Sequence, residues 1–185
     1  MPFPLEESLI RAIFEIVNQS SFLRLIIIFL GSILPWIIII WFIITIFCIR
    51  SFKLKFYYFS IAIISAIMAR GLIAAVIHNF FYIPRPFEVF DATPIISHPL
   101  TSGLISGYMT LLVPIVFAFI FLNKQSGIIA SLLVILAGIA RVVAGIYWGS
   151  ALLAGILIGA LSFLFVKKIL LPVAPTIIVA PKADE

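Results

Sequence analysis

The sequence predicts an all-α fold: a polytopic membrane helical bundle of about five transmembrane helices, preceded by an amphipathic helix at the membrane interface. Three observations carry this. Hydrophobic residues make up 64% of the 185 and charged residues only 10%, too few polar side chains to coat a soluble domain. Mean hydropathy is correspondingly high, at +1.33. Successive apolar runs approach the roughly 20 residues that a helix needs to cross about 30 Å of hydrocarbon. That length leaves room for one membrane-embedded domain, 1–170, and a C-terminal tail, 171–185.

From Pro4 to Gln19 the polar residues Glu7, Arg11, Glu15 and Asn18 recur at helical spacing, with Leu9, Ile10, Ile13, Phe14 and Val17 on the other side. This pattern fits an interfacial helix and equally a solvent-facing helix packed on the bundle. The first span is expected from about Phe22 to Ile49 with Pro35 inside it, as membrane helices tolerate. The second runs from Phe56 to Ile77 and contains Arg70. A Pro-punctuated connection, His78 to Ile105, is too polar and broken to span. The third span covers Ser106–Leu122, the fourth Ser126–Ile146 with Arg141 near its end, and the fifth Ser150–Val166. After Lys167 and Lys168 the tail from Leu171 contains three prolines and leaves the membrane.

The net charge of +5 does not point to nucleic acid, because the basic residues are scattered between apolar segments and form no stripe. Cys48 is the single cysteine, so neither a disulfide framework nor a thiolate metal site is available. Two histidines without ligand spacing make a poor metal site, and no cofactor is expected. Glu6, Glu7 and Glu15 argue against a cleavable signal peptide at the N-terminus. With five spans, Arg50, Lys53 and Lys55, then Lys124, then Lys167 and Lys168 all fall on one side, which the positive-inside rule makes cytoplasmic. The N-terminal helix, the His78–Ile105 connection and the turn at 147–150 then share the outer face. Tryptophans Trp36, Trp41 and Trp148 are expected in aromatic belts or lipid-facing packing. Gly155 and Gly159 form a small-xxx-small pair, suited to close helix packing within the chain more than to dimerisation.

Arginine in a span costs about 2.5–3.5 kcal/mol on insertion scales, so Arg70 and Arg141 need a partner. Between Glu15 and Lys182 the acidic residues are Glu88 and Asp91 only. Backbone carbonyls, snorkelling, those two acids or an external anion are the available solutions. For Arg70 alone a structural role at carbonyls or a helix end is the plainer reading.

The residues around Arg141 tilt the balance toward an anion. The sequence carries Ile83-Pro84-Arg85-Pro86-Phe87, then Ser106-Gly107-Tyr108-Met109-Thr110 at a span start, then Arg141 followed by Gly145-Ile146-Tyr147-Trp148-Gly149-Ser150-Ala151 and Leu153-Ala154-Gly155. In order and spacing this resembles the type 2 phosphatidic acid phosphatase and vanadium haloperoxidase superfamily, whose motifs read K-x6-R-P, P-S-G-H and S-R-x5-H-x3-D. The resemblance covers roughly 78–155 and implies a helical bundle with a phosphate site on one face. Arg85, Pro86, Ser106, Gly107 and Arg141 match; His78 stands in the lysine position. Ile105 replaces the second motif's proline. Tyr108 and Tyr147 occupy the two histidine positions and Ala151 the aspartate position. A rival register sets Ser102 and Gly103 in the second motif, with Leu104 as the histidine equivalent.

The resemblance implies that Arg85, Ser106, Gly107, Arg141 and His78 bind phosphate, since guanidinium groups and helix-start amides suit phosphoryl oxygens. It equally implies that the nucleophilic histidine, its orienting aspartate and the acid histidine are absent. Tyr147 as nucleophile would need ionisation costing roughly 4 kcal/mol at neutral pH. His98 lies eight residues before Ser106 and could approach the site. The leading expectation is an integral protein of a bacterial-type plasma membrane whose outward pocket holds a phosphorylated or diphosphorylated lipid without efficient hydrolysis. An active lipid phosphatase with a substitute nucleophile, and a structural or partner-binding membrane protein, are the alternatives.

Overall fold

The computed structural model describes residues 4–99 and 101–171, and these form helices joined by turns and one long connection. The predicted tail, 171–185, lies outside the described residues apart from Leu171. Helix α1, Pro4–Gln19, matches the predicted amphipathic segment. It is followed by α2, Ser21–Cys48, and α3, Phe52–Phe80. A single turn, α4, Pro86–Val89, interrupts the connection. Then come α5, Gly107–Leu122; α6, Lys124–Val143; and α7, Gly149–Leu170. Helices α2, α3, α6 and α7 are long and apolar enough to cross a membrane. Helix α5 is apolar but has only 16 residues.

Helix α5 is the centre of the bundle. Met109, Leu112, Val113, Ile115, Val116, Ala118 and Phe119 are all buried, so apolar residues surround it on every side. It packs on α3, α6 and α7. The Gly155 and Gly159 pair serves this packing: a Cβ at Gly155 would come within 2.7 Å of the Ser106 carbonyl oxygen, and one at Gly159 within 2.9 Å of Val113 Cβ. That close approach is intramolecular.

Helix α1 packs on the bundle along one face. Ile10, Phe14 and Val17 are buried against the bundle, while Leu9, Ile13 and Ile16 remain exposed as a second apolar stripe. Glu6 fixes its start, accepting from the Ser150 backbone N–H at 2.9 Å and capping α7.

Several boundaries differ from the sequence reading. Helix α3 begins four residues earlier, at Phe52, and continues to Phe80, which puts His78 on its last turn instead of in the connection. Helix α6 stops at Val143 because Gly145 turns the chain with φ +75°, and Ile146 N–H and Gly145 N–H return to the carbonyls of Arg141 (3.1 Å) and Val142 (3.0 Å). Trp148 departs from the expected belt: it is buried, and its Nε1–H donates to the Pro84 carbonyl at 2.9 Å.

Candidate functional site

At the end of the bundle where α1 docks, α3, the connection, and the ends of α5 and α6 enclose a cavity of about 800 Å³. Its walls include Arg70 and His78 from α3, Arg85, His98 and Ser102 from the connection, Gly107 and Tyr108 from α5, and Arg141 and Tyr147 around the end of α6.

The connection is pinned to the segment after α6 by backbone groups. Phe87 N–H donates to the Gly145 carbonyl (3.0 Å), and Gly103 N–H to that of Ile83 (2.7 Å). Arg85 completes this lock. It is 1% exposed and spends four of its five N–H donors on protein oxygens. Nε reaches the Thr101 carbonyl (2.8 Å), Nη1 that of Ile146 (2.8 Å), and Nη2 both Thr101 Oγ1 (2.7 Å) and the Ser102 carbonyl (3.2 Å). Its guanidinium also sits 4.6 Å from the Tyr147 ring centroid.

Arg141 is held differently. Pro35 has no N–H to return to the preceding turn, and Gly31, four residues before it, gives its carbonyl to Arg141 Nε at 2.8 Å. The guanidinium lies 3.3 Å from the centroid of Tyr108, and Nη1 is buried with no hydrogen-bond partner. Tyr147 and Tyr108 thus each lie against one arginine.

Arg70 makes no hydrogen bond or ion pair among the described residues, and its side chain is exposed on the cavity side of α3. The Arg11–Glu15 pair on α1 is the one salt bridge among the described residues, so no carboxylate neutralises Arg70, Arg85 or Arg141. Glu88 is turned elsewhere, accepting from the Tyr82 hydroxyl and the Arg85 backbone N–H.

The two histidines both line the cavity. His78 Nε2 lies 3.1 Å from the Ile105 carbonyl and donates to it, tying α3 to the chain just before α5. His98 Nδ1 donates to the Pro99 carbonyl at 2.9 Å, and its ring meets Tyr147 edge-on at 5.8 Å. Burial holds its imidazole below the ordinary histidine range; the charges of Arg85, Arg141 and Arg70 act the same way, and the Pro99 bond opposes them. The Tyr147 hydroxyl makes no hydrogen bond among the described residues, so no base is in place to activate it.

Of the sequence-derived phosphate set, Arg85, Gly107, Arg141 and His78 converge on the cavity. Ser106 does not line it. It is fully buried at the start of α5, its N–H donates to the Ala151 carbonyl (3.0 Å), and its hydroxyl is unpartnered. Ala151 is buried beneath it and does not line the cavity either. Ser102 of the rival register does line the cavity, with its hydroxyl donating to the Phe81 carbonyl at 2.8 Å. Arg70 was outside the motif-based set. Its signal was spacing: Arg70, Ala74 and His78 follow at four-residue intervals and share one face.

No family model, curated protein or solved structure matches this chain.

Proposed function

We propose that this protein is an outward-facing, five-span relative of the membrane lipid phosphatases that binds a phosphate or diphosphate headgroup and does not efficiently hydrolyse it. One observation carries the reading: three arginines gather around one cavity with no carboxylate among the described residues to balance them. Uncompensated cationic charge in a membrane-embedded site is costly, and a bound anion offsets it.

The order and spacing of the motifs support the family relationship, and α5, enclosed by the other helices, supplies the fifth span. The apolar stripe Leu9, Ile13 and Ile16 suits α1 to the membrane interface. Lys167 over the Phe121 ring, and the Tyr57 hydroxyl on the Leu171 carbonyl, gather the basic ends of α3 and α7 beside the end of α5, opposite the cavity. The positive-inside rule then orients the cavity outward, and the proposed location is a bacterial-type plasma membrane. The lack of turnover rests on Tyr108, Tyr147 and Ala151 at the positions of the acid, the nucleophile and its orienting carboxylate. Stacking of both tyrosines on arginines engages the aromatic rings in cation–π contacts.

Phosphate release from phosphatidic acid, phosphatidylglycerol phosphate and undecaprenyl diphosphate tests this. The expected result is turnover far below that of active lipid phosphatases. Turnover within tenfold of them, lost in Tyr147→Phe or His98→Ala, establishes the substitute-nucleophile alternative instead.

A further inference from the structure

The three arginines are not equivalent, and the difference locates the anion. Arg85 has one N–H left after its carbonyl network. Arg141 Nη1 is sealed from solvent, and the Tyr108 ring covers the guanidinium face. Arg70 is the member of the three with all its donors free.

Arg70 also lies against a second source of positive charge. A Cβ on Gly107 would collide with Arg70 Nη1, so the guanidinium crosses directly over the first residue of α5. The first intrahelical bond there is Thr110 N–H to the Ser106 carbonyl (3.1 Å), which leaves the N–H groups of Gly107, Tyr108 and Met109 without helical partners. A guanidinium pressed on the positive end of a helix dipole is a repulsive arrangement that an anion between them reverses. Arg141, 4% exposed and with an unpartnered nitrogen, faces the same cavity and adds its field.

The location restricts access. Helix α3 runs ten residues beyond Arg70 to Phe80, roughly 15 Å at 1.5 Å per residue. The start of α5, level with Arg70, is thus recessed below the outer end of the bundle. Non-helical backbone at that depth is tolerated where it lines a polar cavity.

We propose that Arg70, together with the free amides at the start of α5, is the direct contact for a phosphomonoester or diphosphate group, that Arg85 holds the connection and Arg141 is tied to α2, and that these two set the potential. This rests on the headgroup-binding reading above and adds a residue to it. A side chain at position 107 would push the Arg70 guanidinium off the start of α5.

The test is calorimetric titration of the full-length protein in detergent with dioctanoyl phosphatidic acid in one arm and inorganic phosphate and diphosphate in the other. The tighter arm identifies a lipid or a free anion as the source. Arg70→Gln is expected to lower affinity in the binding arm at least about tenfold, as for loss of a charge-assisted bidentate contact. Arg70→Lys is expected to fall between, and the melting temperature of Arg70→Gln not to drop. Phenylglyoxal labelling of the unmutated protein gives an independent readout: Arg70 labels and is protected by the ligand, while exposed Arg24 and Arg50 label without protection. Binding by Arg70→Gln within twofold of the unmutated protein, or labelling of Arg70 that ligand leaves unchanged, overturns this assignment alone. Absence of binding in both arms by the unmutated protein overturns the headgroup reading and this inference with it.

Discussion

The guanidinium of Arg141 lies over the ring of Tyr108, 3.3 Å from carbon to ring centroid, on adjoining helices α6 and α5. The contact substitutes an aromatic face for the anion or carboxylate that a buried arginine ordinarily has. Its worth is about 2 kcal/mol where both groups are desolvated. Tyr108→Ala is expected to destabilise the protein by about 1–3 kcal/mol, and Tyr108→Phe, which keeps the ring, by less than about 0.5 kcal/mol. Denaturant unfolding in mixed micelles measures both. Equal losses in the two variants would assign the effect to the hydroxyl and not to the ring.

Arg85 locks the connection to the segment after α6 through geometry, and charge alone cannot replace it. Arg85→Lys keeps the cation but cannot reach Thr101, Ser102 and Ile146 together; the buried carbonyls left unpaired imply a loss of about 1–3 kcal/mol. Faster proteolysis within 81–106 should accompany the drop in melting temperature. A variant with unchanged stability and weakened ligand binding would instead make Arg85 a direct contact.

Gly145 holds φ +75°, and a Cβ there would lie 3.2 Å from the Phe14 ring and 3.6 Å from Phe87 Cβ. Gly145→Ala combines left-handed backbone strain with crowding under α1, for a loss of about 1–2 kcal/mol or more. Thermal unfolding checks this, and an unchanged melting temperature would contradict the turn geometry.

His98 supplies a pH dependence. Its folded-state pKa lies below the ordinary value near 6.5, so the unfolded chain takes up the proton first. The His98 contribution to stability is therefore full above that value and is lost as pH falls through the lower folded-state pKa. An anion near Arg70, Arg85 and Arg141 favours the protonated ring, so binding of sulfate, whose charge is constant across this range, should strengthen as pH falls from about 7.5 to about 5.5. His98→Gln should flatten both profiles. A binding profile unchanged by the substitution would place the anion out of reach of His98.

The spans were legible because hydropathy needs no knowledge of packing: α2, α3, α6 and α7 fall within a few residues of their expected positions. What the pattern could not resolve was which apolar residues face protein and which face lipid. On α1, Ile10, Phe14 and Val17 look no different from Leu9 and Ile13 in sequence, yet only the first three are buried. Trp148 has the composition of a belt residue and is a core residue, because the loop it clamps is folded into the bundle. Within the site, Arg85 and Arg141 were readable from their neighbours. Arg70 lacks a motif; its four-residue spacing from Ala74 and His78 sets its face of the helix, and its contact with Gly107 comes from the tertiary fold. Ser106 is the opposite case: its neighbours in sequence drew attention to it, and its residue is buried against α7 and does not line the cavity.

Recognition of a phosphate headgroup by the cavity is tested most directly by the affinity of the purified protein in nanodiscs for dioctanoyl phosphatidic acid compared with dioctanoyl phosphatidylcholine. These lipids share their acyl chains and differ in headgroup. Saturable binding of phosphatidic acid at least about tenfold tighter than that of phosphatidylcholine is the predicted result; equal affinity for the two would contradict it.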